Sequence, residues 1–408
     1  MGTSALTTSK KQVLVEPVLR DGVELASDAP ANTLAAGACL TGKMMKRRQF
    51  VGGLAAAAGV AACSQDGGDC ENGAVRATET FEWSCVTSWP PKYPGLGTAV
   101  ENLADLIEAA SNGRLKIKVY GGGELVPAFE VFDAVSRGTV EMGHDASYYH
   151  KGKVAAAQFF TAIPFGLNAA ELAGWFYYGG GLELWRELYE PFNIVPFPCG
   201  NTGVQMGGWF NHEINSVEDL KGLKMRIPGL GGEVIKRAGG TPITMPGSEI
   251  FTSLQTGVID ATEWVGAYND IAFGLHKAAK YYYYPGWQEP GAGLECTVNA
   301  DAWASLPLDL QSIVEVACQA ITTDMMAEYT HGNAVALQQL IDDPDVEVRP
   351  FPDDVLRLLK AITKEIVEET SAADPAWEKI ATSYYGYMEK STMNQYVTEM
   401  ANLKTRDL

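Results

Sequence analysis

The stretch Leu-Lys-Gly-Leu-Lys-Met-Arg-Ile-Pro at 220–228 decides how the chain is read, together with Leu-Gln-Thr-Gly-Val-Ile-Asp-Ala-Thr-Glu-Trp at 254–264. Each sets polar residues against a short apolar run: Arg226 lies inside the first, and Glu263-Trp264 ends the second. Between them, Gly232–Ala238 has helical spacing and stops at Gly239-Gly240, and Pro242–Met245 is strand-like. Ser248 is the expected N-cap of a helix that ends at Thr256-Gly257, before a strand over Val258–Asp260. Alternating strands and helices predict a mostly parallel sheet covered by helices, with strand ends facing a cleft.

Working outward, the first half repeats this pattern. Thr80–Val86 alternates as a strand, Val100, Leu103, Leu106 and Ile107 recur at helical spacing, and Asn112-Gly113 is a stop. Leu115, Ile117 and Val119 form a second strand; Phe129, Phe132 and Val135 mark a short helix, followed by a strand over Thr139–Gly143. Residues 168–190 read as helical, and a glycine-rich extended run follows at 201–210. Two β/α halves joined by extended segments near 195–210 and 290–300 predict an α/β protein of two hinge-linked lobes. The expected divisions are 1–75 leader and linker, 76–200 lobe I, 201–294 lobe II, 295–373 a return to lobe I with a helical region, and 374–408 a C-terminal helix. From Leu306 the chain is mainly helical, and Asp374-Pro375 is a favoured N-cap and N1 pair. The last helix carries Trp377, Ile380, Tyr384, Tyr387, Met388 and Tyr396 on one face, which suits packing on its own lobe or on a second subunit.

The net charge is −19, and because the first 62 residues hold a net +3 the remainder carries about −22. That balance excludes nucleic acid or an anionic membrane as the main partner, and it demands a local positive group for any anionic ligand. Met44-Met45-Lys-Arg-Arg-Gln-Phe-Val opens a basic then apolar stretch ending at Val60-Ala-Ala-Cys63. A basic start, a short apolar run and small residues before a cleavage point describe an export signal. Arg47-Arg48-x-Phe-Val is similar to a twin-arginine signal, and Cys63 is either a lipidated first residue or an ordinary cysteine near the cleavage point. A disulfide among Cys70, Cys85, Cys199, Cys296 and Cys318 is open in an oxidising compartment.

Catalytic motifs are absent: there is no G-x-S-x-G elbow, no Walker A sequence and no H-E-x-x-H. His144 and His150 invite a metal reading, weighed against core or solvated roles. Gln205, Arg226, Glu263 and Trp264 recur at predicted strand ends facing one cleft. Arginine grips a carboxylate with a planar fork, which Glu263 would repel. A cation between them removes the conflict, with Glu263 and the Gln205 oxygen as hard ligands. A plain ion pair between Arg226 and Glu263 accounts for the same residues.

Over Thr80–Leu403 the chain resembles the extracytoplasmic solute-binding proteins of tripartite ATP-independent periplasmic (TRAP) transporters. The resemblance is strongest at Phe129–Gly143, Leu220–Gly229 and Leu254–Trp264, and Leu-x-Gly-x-Lys-x-Arg puts the family's carboxylate-binding arginine at Arg226. The usual Gly-Gln-Leu-Gly turn is Gly-Glu-Leu-Val at 123–126, a departure from the C4-dicarboxylate type. Gln205, Arg226 and Glu263-Trp264 are similar to the branch that binds 2-oxo acids such as pyruvate, or to the related lactate binders. That branch implies Na+ or Ca2+ on Gln205, Glu263 and the Trp264 carbonyl, and ligand contacts from Trp89, Tyr149 and Glu289. It further implies delivery of a small organic acid to a membrane permease, and a homodimer in which the C-terminal helix reaches over the partner. An exported enzyme acting on such acids and a ligand sensor on the same fold are the competing readings.

Overall fold

The computed structural model describes residues 79–406 and Leu408, so the leader, Arg47-Arg48, Cys63 and Cys70 lie outside the described residues. Lobe I begins with β1 (Phe81–Thr87), α1 (Leu96–Ala110), β2 (Leu115–Tyr120), α2 (Val131–Ser136) and β3 (Met142–Asp145). It continues through α3 (Ala169–Tyr178), α4 (Gly181–Tyr189) and β4 (Ile194–Asn201). Lobe II comprises β5 (Gly208–Phe210), β6 (Lys224–Arg226), α5 (Gly229–Arg237), β7 (Thr241–Ile243), α6 (Gly247–Gln255), β8 (Ala261–Thr262), α7 (Ala267–Phe273) and β9 (Tyr281–Tyr284). The chain then runs through β10 (Gly293–Asn299), α8 (Ala300–Ser305), α9 (Leu308–Asp342), β11 (Glu347–Pro350), α10 (Asp353–Ala373), α11 (Pro375–Gln395) and α12 (Ala401–Thr405).

Two sheets result, ordered β2-β1-β3-β10-β4 and β11-β9-β5-β8-β6-β7. The expected parallel β/α/β/α/β start holds for β1, β2 and β3. The first sheet is mixed, however, because β10 inserts antiparallel between β3 and β4. The interval 295–373 supplies β10 to the first sheet and α8 beside it, while β11 pairs with β9 in the second sheet and α10 packs on α5.

Smaller departures have local causes. The helical segment 168–190 is split at Gly179-Gly180, where Gly180 is left-handed. β3 starts three residues later than expected because Gly138 closes α2 with a turn that ties Thr139 N–H to the Ala134 carbonyl. β8 likewise starts at Ala261, since Ile259 N–H is still bonded to Ser253 at the end of α6. The N-cap of α6 is Pro246, not Ser248. Cys85, Cys199, Cys296 and Cys318 are buried and unbridged, so none of the disulfides open among these four is formed.

Two crossings between the lobes run side by side at residues 202–207 and 285–292. Gln205 N–H donates to the Glu289 carbonyl (3.1 Å), and Gly286 N–H to the Gln205 carbonyl (3.0 Å). A Cβ at Gly286 would lie 2.2 Å from that carbonyl oxygen, so only glycine allows this approach. The 35-residue α9 packs on β4 and α1 of lobe I and on α7 of lobe II. The terminal helix divides in two: Trp377, Ile380, Ala381 and Tyr384 are buried on lobe I, whereas Met393, Tyr396, Val397, Met400 and Leu403 are exposed.

Candidate ligand site

β6 and β8 are adjacent and parallel, with Arg226 in register with Thr262. Their carboxyl ends thus bring Arg226 beside Glu263, at the position where open α/β sheets hold ligands. Arg226 is 1% exposed and Glu263 is 0% exposed. The guanidinium is fixed by Nε to the Met245 carbonyl (3.3 Å), by Nη1 to the Glu263 carbonyl (3.2 Å), and by an ion pair from Nη1 to Glu263 Oε1. The plain ion pair anticipated between these residues therefore exists, yet it uses only part of each group. Arg226 Nη2 and Glu263 Oε2 are both buried without a protein partner.

The crossings bring the remaining polar groups. Gln205 Nε2 donates to Glu289 (2.7 Å) and to Thr202 Oγ1 (3.1 Å), which leaves Gln205 Oε1 buried and unpartnered. Trp264 lies against Arg226, with the guanidinium carbon 5.1 Å from the ring centroid, and its own Nε1 is unpartnered. Phe273 and Tyr93 also pack against that indole.

Lobe I closes the site with Trp89 and Tyr149, whose rings are 6.2 Å apart. Trp89 is held by a 2.8 Å bond from its Nε1 to His144 Nδ1, and His144 Nε2 is bonded to the Cys199 carbonyl (2.7 Å). Burial pushes the Tyr149 hydroxyl up to about 12, and the next largest influence on it is Arg226, which lowers it. Tyr149, Gln205, Arg226, Glu263, Trp264 and Glu289 thus lie together, and Trp89 reaches them only through the Tyr149 ring.

The electrostatics are unbalanced. Burial raises Glu263 to about 7, Arg226 pulls it down, and Asp270 pushes it up again. Glu289 is driven well above the usual carboxylate range by burial and then by Glu263. One arginine faces two carboxyl groups with a third behind them. The unpartnered atoms are two acceptor oxygens on Gln205 and Glu263 and two donors on Arg226 and Trp264. Buried polar atoms are normally paired, and hard oxygens suit a cation while the donors suit an anion. The donor set fits a metal ion next to a carboxylate.

Some site residues carry no motif. Tyr148 was legible only as the neighbour of Tyr149, yet its hydroxyl titrates under Glu289 and Glu263 after burial itself. Asp270 accepts from Tyr282 (2.7 Å) and Trp209 (3.1 Å), and nothing in its local sequence separates it from an ordinary helix aspartate.

Residues 85–374 match the family described as bacterial extracellular solute-binding protein, family 7. A monocarboxylate 2-oxoacid-binding periplasmic protein of a Nostoc species is 41% identical over 361 residues, which cover 88% of this chain and 98% of the relative. Two solved TRAP periplasmic solute-binding proteins are each 44% identical with a TM-score of 0.78 over 80% of this chain. The one from Colwellia psychrerythraea is matched over 100% of its length and holds calcium and pyruvate. The one from Pseudoalteromonas atlantica is matched over 99% and holds sodium and pyruvate. The chain belongs to bacterial extracellular solute-binding protein family 7. Within it, the chain is a TRAP-type solute-binding protein; members of this family are transport solute-binding proteins, not enzymes.

Proposed function

We propose that the cleft captures a small 2-oxo monocarboxylate such as pyruvate. Arg226 receives the carboxylate, and Na+ or Ca2+ sits on Gln205, Glu263 and the Trp264 carbonyl. The carrying observation is the orphan set: Gln205 Oε1 and Glu263 Oε2 await a cation, and Arg226 Nη2 awaits an anion. A 2-oxo acid offers both a carboxylate and a second oxygen that chelates the ion. Trp89, Tyr149 and Glu289 complete the enclosure, with Glu289 in its protonated form donating rather than repelling. The relatives that hold pyruvate with calcium or sodium support this assignment. Binding draws the lobes together over the acid, and the closed form is what the permease recognises. A thermal-shift screen of pyruvate, longer 2-oxo acids and lactate, with and without Na+ and Ca2+, tests it, because a ligand selective for the native state raises Tm. Pyruvate should raise Tm only with a cation, and Arg226→Ala should remove the effect.

The apolar stripe Met393, Tyr396, Val397, Met400 and Leu403 supports a homodimer in which the end of the terminal helix lies on a second copy. A TRAP solute-binding protein from Bordetella bronchiseptica, 39% identical with a TM-score of 0.79, is a mixed-occupancy dimer with calcium and picolinate in one site and the other site apo. Sedimentation should give a dimer that Val397→Glu splits.

Export by the twin-arginine route fits both Arg47-Arg48 and the four buried thiols, because a protein folded before export keeps its core cysteines from oxidation. Mass spectrometry of the exported protein should find Cys85, Cys199, Cys296 and Cys318 reduced. The same spectrum reads whether Cys63 carries lipid.

A further inference from the structure

The turn Ser147–His150, with Lys151 after it, joins the lobe I core to the cleft, and each of its residues has a separate anchor. Ser147 Oγ is 2.7 Å from Thr161 Oγ1 within lobe I. Tyr148 lies on Gly229, the first residue of α5 in lobe II, where a Cβ would sit 3.1 Å from its ring and φ is +60°. Tyr149 faces the ligand site. Lys151 Nζ donates to the Gly229 carbonyl at 2.6 Å. Two contacts from lobe I thus converge on one lobe II residue, three positions after Arg226.

His150 points the other way. Its Nε2 is 3.0 Å from Asp145 Oδ2 and 3.2 Å from Glu295 Oε1, and Tyr189 donates to Glu295 Oε2 at 3.0 Å. Asp145 and Glu295 are cross-strand partners on β3 and β10, and Phe132 covers the imidazole at 4.5 Å. All three groups are fully buried. Burial opposes charge on His150, but Asp145 and Glu295 outweigh it and hold it at about 10. Burial and then Asp145 push Glu295 to about 8. Near neutral pH the cluster is therefore an aspartate, an imidazolium and a protonated glutamic acid, with no net charge. The Asp145 oxygens have no hydrogen-bond partner, and their one close polar contact is His150 Nε2 at 3.0 Å from Oδ2.

We propose that the turn 147–151 is the closing jaw of lobe I, fastened to lobe II by Lys151 and held in shape by the Asp145–His150–Glu295 cluster. Lys151 and His150 are positioning residues: they set affinity through the open–closed equilibrium and do not touch the ligand. A bond made only in the closed form must break for the ligand to leave, so its loss appears in the off-rate. This inference rests on the 2-oxo-acid reading for its ligand, but not for its conformational part.

The test combines pyruvate binding in calcium buffer with the distance between spin labels on exposed Asp105 of lobe I and Thr252 of lobe II. Lys151→Met should raise koff about tenfold, the order of one charge-assisted hydrogen bond, with kon changed by less than about twofold. It should also shift the ligand-free label distances towards the open form, and Lys151→Arg should restore both. His150→Gln should act in the same direction, and if it fails to fold, Lys151→Met decides alone. Unchanged koff and unchanged distances in Lys151→Met overturn the proposal. If wild-type protein binds no 2-oxo acid, the ligand reading fails, and the label distances still decide the jaw.

Discussion

Arg226 with Glu263 and Glu289, and His150 with Asp145 and Glu295, are both one cation set against two carboxyl groups in the buried interior. They end differently. The His150 cluster carries its own counter-charge, with Tyr189 on Glu295 and Phe132 over the imidazole, and its unpaired atoms are acceptors alone, the two Asp145 oxygens. The Arg226 cluster leaves donors and acceptors of both kinds unpaired. Burial alone therefore does not mark a ligand site. A cluster whose histidine offsets its own carboxylate is a pin even with acceptors left over, whereas one left with both donors and acceptors unpaired is a receptor.

The largest expected break is Arg226→Ala, which removes the only cation of the receptor cluster. Pyruvate affinity should fall about a hundred- to a thousandfold by calorimetry, while circular dichroism stays native. Glu263→Gln should follow, with roughly a hundredfold loss and with the cation dependence of binding abolished.

Acid should weaken binding next. Cation binding needs Glu263 ionised, and its carboxyl titrates at about 7 in the ligand-free protein. Affinity should drop about tenfold from pH 8 to pH 6.

Stability should move the opposite way in ligand-free protein. Glu263 at about 7, Asp270 at about 6, Glu295 at about 8 and His150 at about 10 all lie above their ordinary values. The folded state then holds more protons than the unfolded one between pH 5 and 8, so stability is greatest in mild acid and is lost as pH rises. Tm should fall by about 2 °C or more from pH 6 to pH 8 in calorimetric scans.

The smallest effect sharpens the contrast. Glu295→Gln copies the protonated form of Glu295 and should leave pyruvate affinity within about threefold of wild type. The same change at Glu263 is expected to be severe.

Local pattern carried the β/α units of both lobes and the placement of Arg226, Glu263 and Trp264, because apolar periodicity and helix stops are encoded within a few residues. Non-local pairing was not legible. Nothing near β10 announces that it will run antiparallel between β3 and β4, and nothing near Glu347 announces a partner at Tyr281. The site followed the same rule. Glu289 is marked only by resemblance, and the reason it meets Gln205 is a pairing of two crossings far apart in sequence. The opposite fates of Glu263 and Glu295 depend on Tyr189, His150 and Asp145 converging from separate elements, which spacing does not record.

The central claim is that the receptor cluster is completed by a cation and a carboxylate together. Calorimetric titration of pyruvate into cation-stripped protein, in sodium-free buffer and then with Ca2+ or Na+ restored, tests it most directly. Saturable binding should appear only when one of the ions is present. Equal affinity with and without the ions would contradict the account.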